Sequence, residues 1–310
     1  MNKRQKQVQQ SLLNSEIGVL NALEESYQKA LNDINGVIAK LLARKDTENL
    51  QAIIYQLKYQ RLLKSEIEGF LNALHTRNYQ LIDDYLKDCY ENAHIGTLFD
   101  LQGQGVPLML PLNQEQMISA ITLNSKLSAP LYNALGFNIE YLKTSVRMEI
   151  SRGIAQELSY QEIARNIKNT TNVDYNKSLR IAKTEGHRIQ NESAYNVQVR
   201  AKQKGADIVK QWDSTLDGKT RPTHRMLDGQ IVEVDGYFKS ESGNKALYPG
   251  AFGVPSEDCN CRCALLQRAK WALSDEDFTK MNGDTNELQH FENVDDYDKF
   301  KNIFWEVTKK

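Results

Sequence analysis

Apolar residues recur at helical spacing through Leu13, Ile17, Leu20, Leu23, Tyr27, Leu31, Ile34, Ile38 and Leu41. Positions three and four apart share one face of a helix, so this stripe predicts one long amphipathic helix over about 13–42. The run RKDTENL breaks it, with Asp46 or Thr47 as the next N-cap. A second stripe passes through Leu50, Ile54, Leu57, Ile67, Phe70, Leu74, Leu81 and Tyr85. Two long helices joined this tightly fold back on each other, and because neither stripe keeps a strict heptad, a helical hairpin or bundle is favoured over an extended coiled coil. A stripe of this kind reads as bundle core first and as a docking face for a partner second.

The stretch 96–113, GTLFDLQGQGVPLMLPLN, is rich in Gly and Pro and reads as a loop. Gly103 and Gly105 do not make a phosphate loop, because the later Gly-Lys-Ser/Thr is missing. Helices resume at about 114–124 and 139–158, then in the short segment SYQEIARNIKN, where Ser159 and Glu162 form a capping-box pattern. A longer helix, 174–205, stops at Gly205. Beyond it the period changes to two: IVKQWDS, QIVEVDGYF and CRCALLQ read as strands, and DGKTRPTHRML as a turn and short helix with Pro222 in its first turn. The last pattern, YDKFKNIFWEVTK, is helical.

The predicted fold class is mainly α with a small α+β C-terminal domain: a long N-terminal helical hairpin or bundle, then helices packed on a small β-sheet. The expected division is a hairpin over 1–95, a loop-rich connector with short helices over 96–138, the α+β domain over 139–268, and an acidic tail with a terminal helix over 269–310.

Composition narrows what this chain can contact. A formal net charge of -1 over 310 residues excludes a globally basic protein, so any nucleic-acid contact must be local. The most basic stretch is the helix carrying Lys177, Arg180, Lys183, Arg188, Arg200, Lys202 and Lys204, which are the DNA-binding candidates. No run approaches the ~20 apolar residues that span a bilayer, and the first residues lack a signal-peptide pattern, so the expectation is a soluble, unexported chain with no membrane partner. Four cysteines with Cys89 far from the other three do not suggest a disulfide framework.

Chemistry-bearing residues fall in three clusters: KTEGHR (183–188), WDSTLDGKTRPTHRMLDGQ (212–230) and CNCRC (259–263). Four readings stand side by side. Zinc would take two cysteines and two histidines, Cys261, Cys263, His224 and His187, because residues two apart in extended chain place both sulfurs on one side. A cysteine nucleophile would be activated by His224 and oriented by Asp213 or Asp217. A Mg²⁺-dependent nuclease would use Glu185, Asp213, Asp217 and His224. In the fourth reading there is no reaction: Arg188, Arg221, Glu185 and Asp217 form charged pairs that lock helix to sheet, the cysteines are small core residues, and Asp228-Gly229 is a tight turn. The CNCRC run reads as sheet core first and zinc second, so Cys261→Ser or Cys263→Ser should harm folding and Cys259→Ser should be nearly silent.

Taken in order, KTEGHR, KQWDSTLDGKTRPTHRMLDGQ and PGAFGVPSEDCNCRC resemble the phage Mu protein F-like family of minor head (head morphogenesis) proteins. The resemblance covers about 140–268 and is carried by Thr184, Glu185, Trp212, Asp217, Thr220, Arg221, His224, Asp228, Gly229, Asn260, Cys261, Arg262 and Cys263, with His187 and Arg188 in the same signature cluster. Lys183 stands where the family usually has Arg, and Cys259 is an addition. The resemblance implies a non-enzymatic minor capsid protein of a tailed phage or prophage, with no catalytic residues; no cofactor is expected, the structural zinc at His187, His224, Cys261 and Cys263 being the second reading of that cluster. Its implied partners are the portal protein, scaffold and major capsid protein, and double-stranded DNA without sequence specificity. Its implied place is the head interior near the portal in the virion, and the bacterial host cytoplasm during assembly. The rival from another class is a metal-dependent nuclease or cysteine-based transferase built on Glu185, His224, Cys261 and Cys263.

Overall fold

The computed structural model describes residues 1–42, 57–122, 141–146, 148, 149, 152, 156, 160–273 and 296–308. The expected break with Asp46 or Thr47, the Ser159 cap and most of the acidic tail lie outside these residues. The elements are α1 (Lys3–Leu42), α2 (Leu57–Gly103), α3 (Gln114–Thr122), α4 (Tyr160–Gln203), β1 (Ile208–Asp213), α5 (Pro222–Arg225), β2 (Ile231–Glu233), β3 (Phe238–Lys239), β4 (Lys245–Ala246), α6 (Pro255–Asp258), β5 (Ala264–Ala269), a 3₁₀ turn (Lys270–Leu273) and α7 (Tyr297–Thr308). The protein is mainly helical with a small antiparallel sheet towards the C-terminus, as the periodicity predicts. Among the described residues no helix is long and apolar enough to cross a membrane.

Two compact units are formed. One comprises Met1–Glu16, Tyr85–Ser128 and Lys183–Lys310, the other Ile17–Asp84 and Ala129–Ala182. These cross the sequential boundaries expected at 95, 138 and 268, because α1, α2 and α4 each run through both units. The second unit is a helical core of Tyr27, Leu31 and Ile34 from α1, Ile67, Leu71 and Leu74 from α2, Leu142 and Val146, and Ile167 from α4. In the first unit rising numbers in α1 meet falling numbers in α2, Arg4 against Gly103 and Val8 against Gly96, which is the antiparallel arrangement that the two stripes require.

In the first unit the helix α2 corrects the loop expected from residue 96. It continues to Gly103, with Leu98, Phe99 and Leu101 wholly buried. Gly96 and Gly103 do not break it. They lie seven residues apart on one face, and a Cβ at either would collide with Val8 or with Arg4 of α1. The glycines are there so that two helices approach closely, not to turn the chain. A second correction concerns α4, which runs unbroken from Tyr160 where a short helix and a separate longer one were expected. Thr170 and Thr171 donate their hydroxyls to the carbonyls of Asn166 and Ile167, which carries the polar TTN run inside the helix. The helix then ends where expected. Gly205, at φ +91°, donates to the Lys202 carbonyl and Ala206 to that of Ala201, a Schellman stop.

Helix α4 leads directly into the sheet, whose order is β2-β1-β5 with both pairings antiparallel and Trp212 opposite Leu265. CRC, expected within the last strand, lies just before it, since β5 starts at Ala264. The core of this unit gathers Val8, Leu12, Leu98, Phe99, Val197, Ile208, Phe300 and Phe304.

The central strand carries a buried lysine. Lys210 is 0% exposed; its Nζ donates to the Leu247 carbonyl at 2.8 Å and sits 4.7 Å from the centre of the Tyr195 ring. Burial pulls its pKa down to about 8 from 10.5. Between those values the unfolded chain binds more protons than the folded one, so this group makes stability rise with pH from about 8 towards 10. Above that, the buried tyrosines Tyr85, Tyr248 and Tyr297, whose pKa values burial raises, reverse the trend. Replacing the charge by a hydrophobe of similar length, Lys210→Met, is expected to stabilise by ~1–3 kcal/mol at pH 7 and to erase the rise between pH 8 and 10. Urea melts at several pH values measure both.

Candidate functional site

The three sequence clusters converge inside the first unit. Thr184 on α4 accepts a 3.0 Å hydrogen bond from the backbone N–H of Asn260. About two turns further on, Asn191 donates to the Cys263 carbonyl at 3.0 Å and accepts from the Leu265 N–H at 2.8 Å, so its amide docks the helix on β5 as a backbone partner would. Asn260 itself has φ +53°, a left-handed turn that Asn tolerates, and it redirects the chain from α6 into the cysteine run. Cys261 and Cys263, two residues apart in extended chain, then point to the same side.

What they point at is His224 on α5. Its Nδ1 lies 3.7 Å from the Cys261 Sγ and 3.4 Å from the Cys263 Sγ, while Nε2 is 3.0 Å from the Glu257 Oε2. His224, Cys261 and Cys263 are 2–4% exposed. The short helix α5 that carries the imidazole begins at Pro222, whose missing N–H is no loss in a first turn. Trp212 packs its ring edge-on to the imidazole at 5.7 Å, and Ser214 donates to the His224 carbonyl at 2.6 Å.

Electrostatics around the trio are strongly directed. Hydrogen bonding with Cys261, and with His224 and Ser214, lowers the pKa of Cys263 despite its burial, while Cys261 is pushed up by the same partnership. Burial works against a charge on Glu257, but Ser242, Thr223 and Asn244 donate to it and hold its pKa below the usual value. Next to it, Asp258 accepts the backbone N–H groups of Phe252, Gly253 and Val254, tying down the loop before α6.

The other signature residues are used for architecture. Asp217 accepts both terminal nitrogens of Arg262 at 2.6 and 2.7 Å, a two-pronged pair that lowers its pKa, and it also holds the Lys219 N–H and the Thr220 hydroxyl. Arg221 donates to the Cys259 carbonyl. Asp228 accepts the Ser214 N–H at 2.8 Å, and Gly229 donates to the Trp212 carbonyl at 2.9 Å. Arg188 bonds Glu185 at 2.9 Å and also Glu192, all three buried.

Several residue assignments from sequence are corrected by this geometry. His187 pairs with Glu16 at 3.1 Å and stands outside the trio, since its ring leaves α4 towards α1. Arg188 is 3% exposed with its guanidinium occupied, so it leaves the DNA-facing set. Of the remaining basic residues, Arg180, Lys202 and Lys204 are exposed and Lys177, Lys183 and Arg200 half-buried. The nuclease set does not assemble: Glu185 serves Arg188, Asp217 serves Arg262, and His224 faces Glu257. The residue that orients His224 is Glu257, neither Asp213 nor Asp217. Nothing in the run SED marks it, and only the fold brings it under α5.

Residues 144–266 match the family described as Phage Mu protein F like protein. The chain carries a Mu F-like phage head protein domain. Over 251 residues the chain is 26% identical to the minor head protein GP7 of Bacillus phage SPP1, covering 79% of this chain and 80% of that one. It is 31% identical over 306 residues to the NAD(+)--arginine ADP-ribosyltransferase EFV of Enterococcus faecalis, covering 96% of this chain. It spans 60% of the length of that enterococcal relative. No solved structure matches the chain. The Mu F-like match ends at 266, inside β5, so it takes in all three converging clusters and the whole His224, Cys261, Cys263 trio.

Proposed function

We propose that this protein is a minor head protein of a tailed phage or prophage that sits at the portal vertex beside the packaged genome and acts in head assembly or DNA delivery. The observation that carries this reading is the likeness to a named minor head protein along four fifths of both chains. The disposition of the signature residues agrees with it: each is spent on joining helix, turn and strand, as a structural protein needs. Its partners would be the portal protein, with scaffold and major capsid protein, and double-stranded DNA held through phosphates.

The basic positions on α4 give the DNA contact its testable form. Phosphate binding by lysine and arginine releases counterions, so affinity falls with salt and each lost contact flattens the slope of log K against log salt by about 1. Filter binding with Arg180→Ala and Lys204→Ala measures this, and salt-independent affinity would end the electrostatic version. Co-purification with a portal ring tests the assembly partner; a chain that never associates with portal during head assembly contradicts the placement. A second reading, ADP-ribosyl transfer from NAD(+) to arginine, is favoured only by the enterococcal relative's name. Turnover of NAD(+) by this chain would promote it.

A further inference from the structure

We propose that His224, Cys261 and Cys263 bind one zinc ion, through the imidazole Nδ1 and both sulfurs, with Glu257 as the residue that positions the histidine. Among the described residues these three form the group of His, Cys, Asp or Glu side chains whose donor atoms come close enough to share an ion, all within 4.8 Å of one another. The argument rests on the spacing of those atoms. In a tetrahedral site with Zn–S of ~2.3 Å and Zn–N of ~2.05 Å, a sulfur and a nitrogen on the same ion lie about 3.6 Å apart. The two S···N distances here, 3.7 and 3.4 Å, bracket that edge.

The ring's other nitrogen supplies a second, independent sign. A metal-bound histidine commonly gives its remaining N–H to a carboxylate, which fixes the tautomer and strengthens the ligand. Nε2 of His224 meets Glu257 at 3.0 Å, leaving Nδ1 free to face the sulfurs. Glu257 is in turn fixed by Thr223 and Ser242.

The same atoms invite comparison with a cysteine nucleophile, and the second sulfur decides between the two. A nucleophile needs one thiol on the imidazole nitrogen. Here two converge on one nitrogen, which has a single lone pair or a single proton to offer. An ion bridging the three atoms resolves that competition. Two thiolates and a neutral imidazole balance the charge of Zn²⁺, with two protons released to solvent on binding. Soft sulfur and borderline imidazole donors select zinc over Mg²⁺ or Ca²⁺. The trio also lines a small cleft with Thr215, Thr220 and Asn260.

The test begins with the unaltered full-length chain, expressed in zinc-supplemented medium under reducing conditions. Elemental analysis should find about one zinc per chain, and cobalt exchanged into it should give thiolate charge-transfer absorption with tetrahedral d–d bands. A folded chain with only trace metal and no cobalt spectrum overturns the proposal. Cys259→Ser should keep the metal, whereas Cys263→Ser and His224→Gln should lose it; retention of full metal by either of the latter places the ion elsewhere. Glu257→Gln should weaken zinc by roughly 10–100-fold in competition with a chelator, and unchanged affinity removes Glu257 from the positioning role. Iodoacetamide completes the discrimination: Cys263 should be protected until chelator is added, and rapid alkylation of the zinc-loaded protein would favour the nucleophile instead.

Discussion

Replacing Arg188 by methionine is expected to destabilise the first unit by about 3–5 kcal/mol, the largest effect of any single substitution argued from this structure. The guanidinium is 3% exposed and each of its nitrogens has work: Nε meets Glu185 at 2.9 Å, Nη1 meets Glu192, and Nη2 donates to the Ala120 carbonyl at 2.7 Å. Burial opposes its charge, but the two glutamates more than offset that and raise its pKa. Methionine removes the cation that both buried carboxylates bond. Changing both acids as well, Glu185→Gln and Glu192→Gln in the Arg188→Met background, should recover part of the stability. The readout is convenient, because all three tryptophans, Trp212, Trp271 and Trp305, belong to this unit. A urea midpoint by tryptophan fluorescence that does not move would mean the triad is dispensable.

Asp100→Asn should cost about 3 kcal/mol although it changes a single heavy atom. Asp100 is 1% exposed and accepts four side-chain amides, from Asn2 at 2.7 Å, Gln5 at 2.9 Å, Gln104 at 2.8 Å, and Gln267. Burial pushes its pKa up, and the four amides pull the other way. Every partner donates, so only an acceptor on both arms satisfies them. Asparagine turns one arm into a donor and sets N–H against N–H where water does not reach. The network joins α1, α2 and β5, and its disruption should be seen as faster amide exchange at the start of α1 and along β5. Asp100→Asn with the wild-type unfolding midpoint would show that the amides can rotate to compensate.

The elements were legible where one physical signal dominated. The stripe from Leu13 to Leu41 and the run ending at Gly205 marked long helices, and the change of apolar period past Gly205 marked β1. Gly96 and Gly103 were misread because a glycine that lets helices touch looks the same in sequence as one that ends them. Only the apolar Leu98, Phe99 and Leu101 between them spoke for a continuing helix. The convergence of His224 with Cys261 and Cys263 could be anticipated from alternate cysteines after a histidine-bearing turn. Glu257, Asn191 and Asp100 could not, since each is an ordinary polar residue whose importance comes from burial beside a partner tens of positions away. His187 shows the converse: a residue adjacent to the right cluster whose side chain leaves the helix on another face.

The pairing of the first turns with the last has a further consequence for biosynthesis. Tyr297 donates its backbone N–H to the Gln7 side chain, 290 positions earlier, and Gln5 and Asn2 share an aspartate with Gln267 of β5. On the ribosome Gln7 emerges well before Tyr297, so that hydrogen bond must wait until the later segment has been translated. Completion of that unit is therefore a late step with slow, long-range closure.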